Sequence, residues 1–136
     1  MLKKINHIGI AVSSLAEAIP FYRDSLGMAF KGMEEVAEQR VKVAFLAVGE
    51  SKIELLEPTS AESAVAKFLE KNGPGIHHIA YEVEDIEAAI AKLTQDGARM
   101  IDSTPRSGAH GARIAFIHPK SSGGVLTELC QAGHTK

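Results

Sequence analysis

An α+β fold made of two tandem βαβββ units is predicted by two kinds of internal match and one change of periodicity. The stretch Ile5-Asn-His-Ile-Gly-Ile-Ala-Val12 recurs as Ile76-His-His-Ile-Ala-Tyr-Glu-Val83. Val43-Ala-Phe-Leu46 is answered by Ile114-Ala-Phe-Ile117, and Ile53-Glu-Leu55 by Thr127-Glu-Leu129. Between the strand-like pieces, apolar residues pass from a period of two to helical spacing. Self-similarity over half a chain marks a duplicated unit, and two units of this size are expected to share one core.

Each element follows from local signals. Ile8, Ile10 and Val12 alternate with His7, Gly9 and Ala11, giving the first strand two unlike faces. Ser14-Leu-Ala-Glu17 has capping-box spacing, and Leu15, Ala18, Ile19 and Tyr22 make a helical stripe. Pro20 is expected to kink or tighten this helix, and Gly27 to end it. Strands are expected near 28–35, 41–48 and 51–57, with Gly49-Glu-Ser51 as a hairpin turn. Residues 60–72 carry Val65, Phe68 and Leu69 before the breaker Asn72-Gly-Pro-Gly75, which predicts an extra linking helix. The second unit repeats the plan. Its strand runs to Val83, Asp85 caps a stripe of Ile86, Ala89, Ile90 and Leu93, and Gly97 stops it. Strands near 98–103, 112–118 and 124–130 follow, with Pro119–Gly124 as a loop. The expectation is one domain over 1–136, with units at about 5–58 and 76–131.

Composition narrows the class. Hydrophobic residues are 45% and charged residues 24%, an ordinary globular profile. A formal net charge of −2 gives no footprint for nucleic acid. No apolar run approaches the length of a membrane span. The single cysteine, Cys130, has no internal disulfide partner, and Met1-Leu-Lys-Lys enters a strand pattern at once. The expected location is cytoplasmic.

The chemistry-bearing residues are His7, Glu54, His78 and Glu128, one histidine and one glutamate from each unit. His7 shares a face with Gly9 and Ala11, and His78 with Ala80; such small neighbours leave space over the sheet. Glu54 and Glu128 lie inside apolar strands, where a carboxylate is costly unless neutralised. One divalent cation held by two imidazoles and two carboxylates would neutralise both. A single strand histidine is more often structural, and a single strand glutamate usually faces water; the joint pattern favours a metal site. Cobalt, manganese, nickel, zinc and magnesium are all candidate ions, and the donor set alone suits several of them. His77 points to the other face of its strand and is expected to be structural. His110 and His118 sit in loops, Cys130 is expected to be a small buried hydrophobe, and His134 belongs to a tail expected to be disordered.

The paired units with His…Glu…His…Glu resemble the vicinal oxygen chelate superfamily. Longer stretches resemble its methylmalonyl-CoA epimerases. They are His7-Ile-Gly-Ile-Ala11, Ile53-Glu-Leu-Leu-Glu-Pro58 followed by Ser63–Leu69, Gly75-Ile-His-His-Ile-Ala80, Pro105–Gly111 running to Phe116–Lys120, and Gly123–Leu129. The likeness covers residue 5 to about 131. It implies a half-barrel-like vicinal oxygen chelate fold, a divalent ion with cobalt favoured, a homodimer, and methylmalonyl-CoA as partner and substrate. Carried over by position, it implies metal ligation by His7, Glu54, His78 and Glu128, with Glu128 also moving the C2 proton. One departure is plain: some epimerases carry a second catalytic glutamate where this chain has Val43. The opposite-face proton carrier then falls to Glu54, or to a water held by Lys42 or Gln39. Arg106, Arg113 and Lys120 are candidates for CoA phosphates, although ordinary surface charge explains them equally well. Glyoxalase I uses the same ligand types, and drug-sequestering members of the superfamily are non-catalytic; both stand as alternative readings.

Overall fold

The computed structural model describes residues 1–133, and His134 lies outside them. Two compact units emerge: a first of His7–His77, and a second of Met1–Asn6 with the chain from His78 onward. Each is built on the predicted βαβββ plan. No helix among the described residues is long and apolar enough to cross a membrane.

In the first unit the strand order is β2-β3-β4-β1, with β2 at Ala29–Val36, β3 at Val41–Val48, β4 at Ser51–Pro58 and β1 at Leu2–Ala11, of which His7–Ala11 belong to this unit. β1 pairs parallel with β4, while β2–β3 and β3–β4 are antiparallel. Gly49, with φ +55°, makes the tight turn between β3 and β4. Ile10, Val12, Ala44, Leu46 and Leu55 point to one face, where Leu15 and Ile19 of helix α1 (Leu15–Pro20) cover them. The opposite face carries His7, Gly9, Val43, Phe45 and Glu54, as alternation predicts. Ser14 caps α1, its hydroxyl accepting from the Glu17 amide at 3.2 Å. The helix does not run unchanged to Gly27. At Pro20 it passes into a π-turn over Phe21–Ser25, closed by Leu26 N–H donating to the Phe21 carbonyl. Proline has no N–H to continue the ladder, and the wider turn resolves that local mismatch.

The linking helix α2 spans Ala64–Asn72, shorter at its start than the sequence suggests. Ser63 takes the N-cap, accepting from the Ala66 amide at 2.9 Å, so the residues before it form turns. Val65 is its buried anchor. His77 meets the Phe68 ring edge-on at 5.1 Å.

The second unit has strand order β5-β8-β7-β6, with β5 at Gly75–Val83, β6 at Arg106–Ser107, β7 at Arg113–Ile117 and β8 at Thr127–Gln131. β5 pairs parallel with β8, and the other pairs are antiparallel. Asp85 caps helix α3 (Ile86–Gln95), accepting from the Ala88 amide at 3.1 Å. Ile86, Ala89 and Ile90 pack on Val83, Ala115, Ile117 and Leu129. The strand expected near 98–103 is a correction. Among the described residues a single bridge joins Met100 to Ile117 there, and the two-residue β6 forms later. The cause is local competition: an oxygen of the Asp102 carboxylate accepts the Phe116 amide at 2.9 Å, occupying a donor that a longer ladder would use.

Candidate functional site

The first unit brings two of the predicted residues together. Antiparallel register sets Phe45 opposite Glu54, and parallel register sets Gly9 opposite Glu54 on the other side. Glycine offers no side chain there, so the glutamate can lean along β1 towards His7. His7 Nδ1 lies 3.2 Å from Glu54 Oε2, and the two residues are 5% and 7% exposed.

The second unit repeats the device. Phe116 stands opposite Glu128 on one side and Ala80 on the other. His78 Nε2 lies 3.0 Å from Glu128 Oε1, with exposures of 5% and 4%. Phe116 presents its ring edge-on to His78 at 5.6 Å. Cys130 is buried among Ala112, Ile114 and Phe116.

Four buried ionisable side chains, arranged as two pairs, demand a physical account, because burial penalises any uncompensated charge. A metal suits the chemistry of both pairs. With metal–ligand bonds of about 2.1 Å, adjacent ligand atoms stand roughly 3.0 Å apart at a right angle and roughly 3.4 Å apart at the tetrahedral angle. The separations of 3.2 Å and 3.0 Å fall within that span. Imidazole nitrogen with carboxylate oxygen is a borderline donor set, suited to first-row divalent ions.

Other candidates separate cleanly. Lys42 is exposed and stands opposite Glu57 and Glu35, on the face away from Glu54. It is therefore no holder of a water beside that carboxylate. Gln39 lies in the short turn Ala37–Gln39 that leads into β3. Val43, where the resemblance marks a departure from a second glutamate, is buried. Arg113 is consumed by a two-bond ion pair with Glu87, which holds the Glu87 carboxyl below its usual range. His118 uses its Nδ1 to accept the Lys120 amide at 3.0 Å, capping the turn Pro119–Ser122. Desolvation, with Arg99 and Lys120 nearby, pushes its imidazole below the ordinary value. His110 is exposed in a turn, with φ +57°.

Sequence reasoning named Arg106 but missed what surrounds it. Its guanidinium carbon lies 5.5 Å from the centre of the Phe116 ring, and its Nε lies 3.5 Å from Asp102. The match of Phe116 with Phe45 between the repeats was the available signal that this ring mattered.

Comparison with known proteins matches residues 6–116 to the family model of the Glyoxalase/Bleomycin resistance protein/Dioxygenase superfamily. An ethylmalonyl-CoA/methylmalonyl-CoA epimerase of Cereibacter sphaeroides is 45% identical over 96% of this chain and 99% of its own. The crystal structure of methylmalonyl-CoA epimerase from Mycobacterium tuberculosis aligns with TM-score 0.94 and 41% identity, covering 98% of this chain and 90% of that one. A methylmalonyl-CoA epimerase in complex with methylmalonyl-CoA and NH4+ aligns with TM-score 0.95 and 42% identity, covering 100% and 99%.

Proposed function

This chain belongs to the Glyoxalase/Bleomycin resistance protein/Dioxygenase superfamily, and we propose from that premise that it is a methylmalonyl-CoA epimerase, interconverting the two C2 epimers of its thioester substrate. The observation that carries the reading is the buried histidine–glutamate pair, formed once in each unit of a chain that epimerases match almost end to end.

In this reading His7, Glu54, His78 and Glu128 hold one divalent cation. Support comes from the donor chemistry: His7, His78 and Glu128 are buried and each offers a ligand atom of the right kind. Cobalt is the favoured ion, with manganese, nickel, zinc and magnesium as alternatives. When bound, the cation supplies a Lewis acid that opposes the charge developing on the thioester oxygen. At about 4 Å and an effective dielectric near 20, a unit pair is worth roughly 4 kcal/mol, so a divalent ion offers at most about 8 kcal/mol. A positioned base has to supply more.

Glu128 takes that role. Its carboxylate accepts the C2 proton while the C–H electron pair moves into the thioester carbonyl. Inversion needs a proton delivered to the opposite face of C2. With Lys42 turned away and Val43 unable to ionise, Glu54 is the carboxylate left for that face. The assembly is proposed to be a homodimer acting in the cytoplasm.

The test is racemisation of methylmalonyl-CoA in deuterated water, run beside methylglyoxal with glutathione. Inversion with deuterium entering C2 is the expected result. Turnover of the hemithioacetal alone would assign the chain to glyoxalase chemistry instead.

A further inference from the structure

We infer that Arg106 recognises the free carboxylate of the substrate and makes the second unit select a malonyl-type thioester over a simple acyl-CoA. The inference rests on the epimerase reading and names the group that distinguishes its substrate.

Arg106 stands on β6 opposite Ile114, and so shares a face with Phe116, Glu128 and His78. Its guanidinium lies over the Phe116 ring, and that ring meets the His78 imidazole edge-on. One aromatic ring therefore separates the cation from a candidate metal ligand within a single unit.

Asp102 fixes this arrangement without satisfying it. Its Oδ2 accepts the Phe116 amide at 2.9 Å, and the same oxygen lies 3.5 Å from Arg106 Nε. That separation is an ion pair but not a formed hydrogen bond, and Arg106 Nε is buried with no hydrogen-bond partner among the described residues. A guanidinium carries five N–H donors in a planar fork. Stacking on Phe116 restricts its rotamers, so little further entropy is lost when a planar anion arrives. A carboxylate is the anion whose two oxygens match that fork.

Two contrasts narrow the role. Arg113, close in sequence, has both ends of its fork engaged by Glu87 and is spent. In the first unit the place corresponding to Arg106 is the residue opposite Val43, which is Glu34. The fold therefore tolerates an acid there, and the arginine is not a requirement of the sheet.

The substrate offers two kinds of anion, the carboxylate on C2 and the phosphates of CoA. Calorimetric titration of the full chain with malonyl-CoA, propionyl-CoA and free CoA distinguishes them, using wild type, R106K and R106M. Arg106→Met should weaken malonyl-CoA by roughly 10- to 100-fold and leave the other two ligands within about twofold. Arg106→Lys, keeping charge without the fork, should fall between. Equal weakening of all three ligands would place Arg106 on the phosphates and overturn the inference. Unchanged affinity for malonyl-CoA would overturn it as well. Racemisation by wild type is followed in parallel. If wild type racemises while R106M binds malonyl-CoA normally, only the role of Arg106 fails; if wild type does not racemise, the epimerase reading itself fails.

Discussion

In the first unit a glycine stands opposite Glu54; in the second an alanine stands opposite Glu128. Phenylalanine flanks each glutamate on its other side, and a histidine closes on each within 3.2 Å. Around that repeated device the units diverge. His7 turns Nδ1 to its glutamate and His78 turns Nε2. The outer strand of the first unit brings Glu34 to its edge, whereas that of the second brings Arg106. The histidine–glutamate pair thus recurs in both units, while the residues flanking it differ.

The largest break in the comparison should come from the two glutamates. Glu128→Gln is expected to lower C2 proton exchange by about a thousandfold. Glu54→Gln should suppress inversion while still allowing exchange from one epimer, read by mass spectrometry and chiral chromatography together. Identical behaviour of the two variants would mean that the halves share the chemistry evenly.

Core truncations come next. Leu55 in the first unit is 0% exposed and Leu129 in the second is 2% exposed. Leu55→Ala and Leu129→Ala should each cost about 2–5 kcal/mol. If the halves fold as one cooperative unit, calorimetry will show a single transition for both variants; two separated transitions would mean independent halves.

The histidines sharpen the symmetry further. His7→Ala and His78→Ala should each reduce bound divalent metal, and by similar factors, above the roughly 10–100-fold seen when only an outer-shell partner is lost. Metal analysis after dialysis decides this, and a loss confined to one variant would break the equivalence of the pairs.

Smaller effects follow at the caps. Asp85→Ala, at the start of a ten-residue helix, should cost about 1 kcal/mol by denaturant melts. Ser14→Ala should cost less, because α1 is short and gives way to the π-turn at once.

The smallest effect concerns Glu82. Burial pushes its carboxyl up, but the Asn6 amide at 3.0 Å and the charges of Lys4 and Lys3 outweigh that and leave it lowered. A lowered folded value contributes stability above the unfolded value near 4.3, lost as pH falls through the folded value. Asn6→Ala should therefore flatten the acid limb of stability against pH below that point; an unchanged limb would show that the lysines suffice.

Several particulars were legible before any fold was drawn. The period of two in Ile8–Val12 assigned His7 to the face away from the helix, and the cap residues Ser14 and Asp85 fixed two helix starts within a residue. The repeat itself singled out both glutamates. Other features had no local signature. The strand looked for near 98–103 yielded to Asp102, whose carboxylate reached a strand fourteen residues away. Lys42 read as a neighbour of the site until register placed it on the other face.

What the sequence determined by itself was therefore everything governed by spacing along the chain: the alternation of faces, the helix caps, the duplicated unit and the candidate donors. What only the tertiary structure decided was which side chains compete for the same partner across strands, such as Asp102 for the Phe116 amide and Arg106 for the Phe116 ring. The reason is physical. Periodicity fixes the direction of a side chain relative to its own backbone, but strand register fixes its neighbours, and register is set by the packing of the whole sheet.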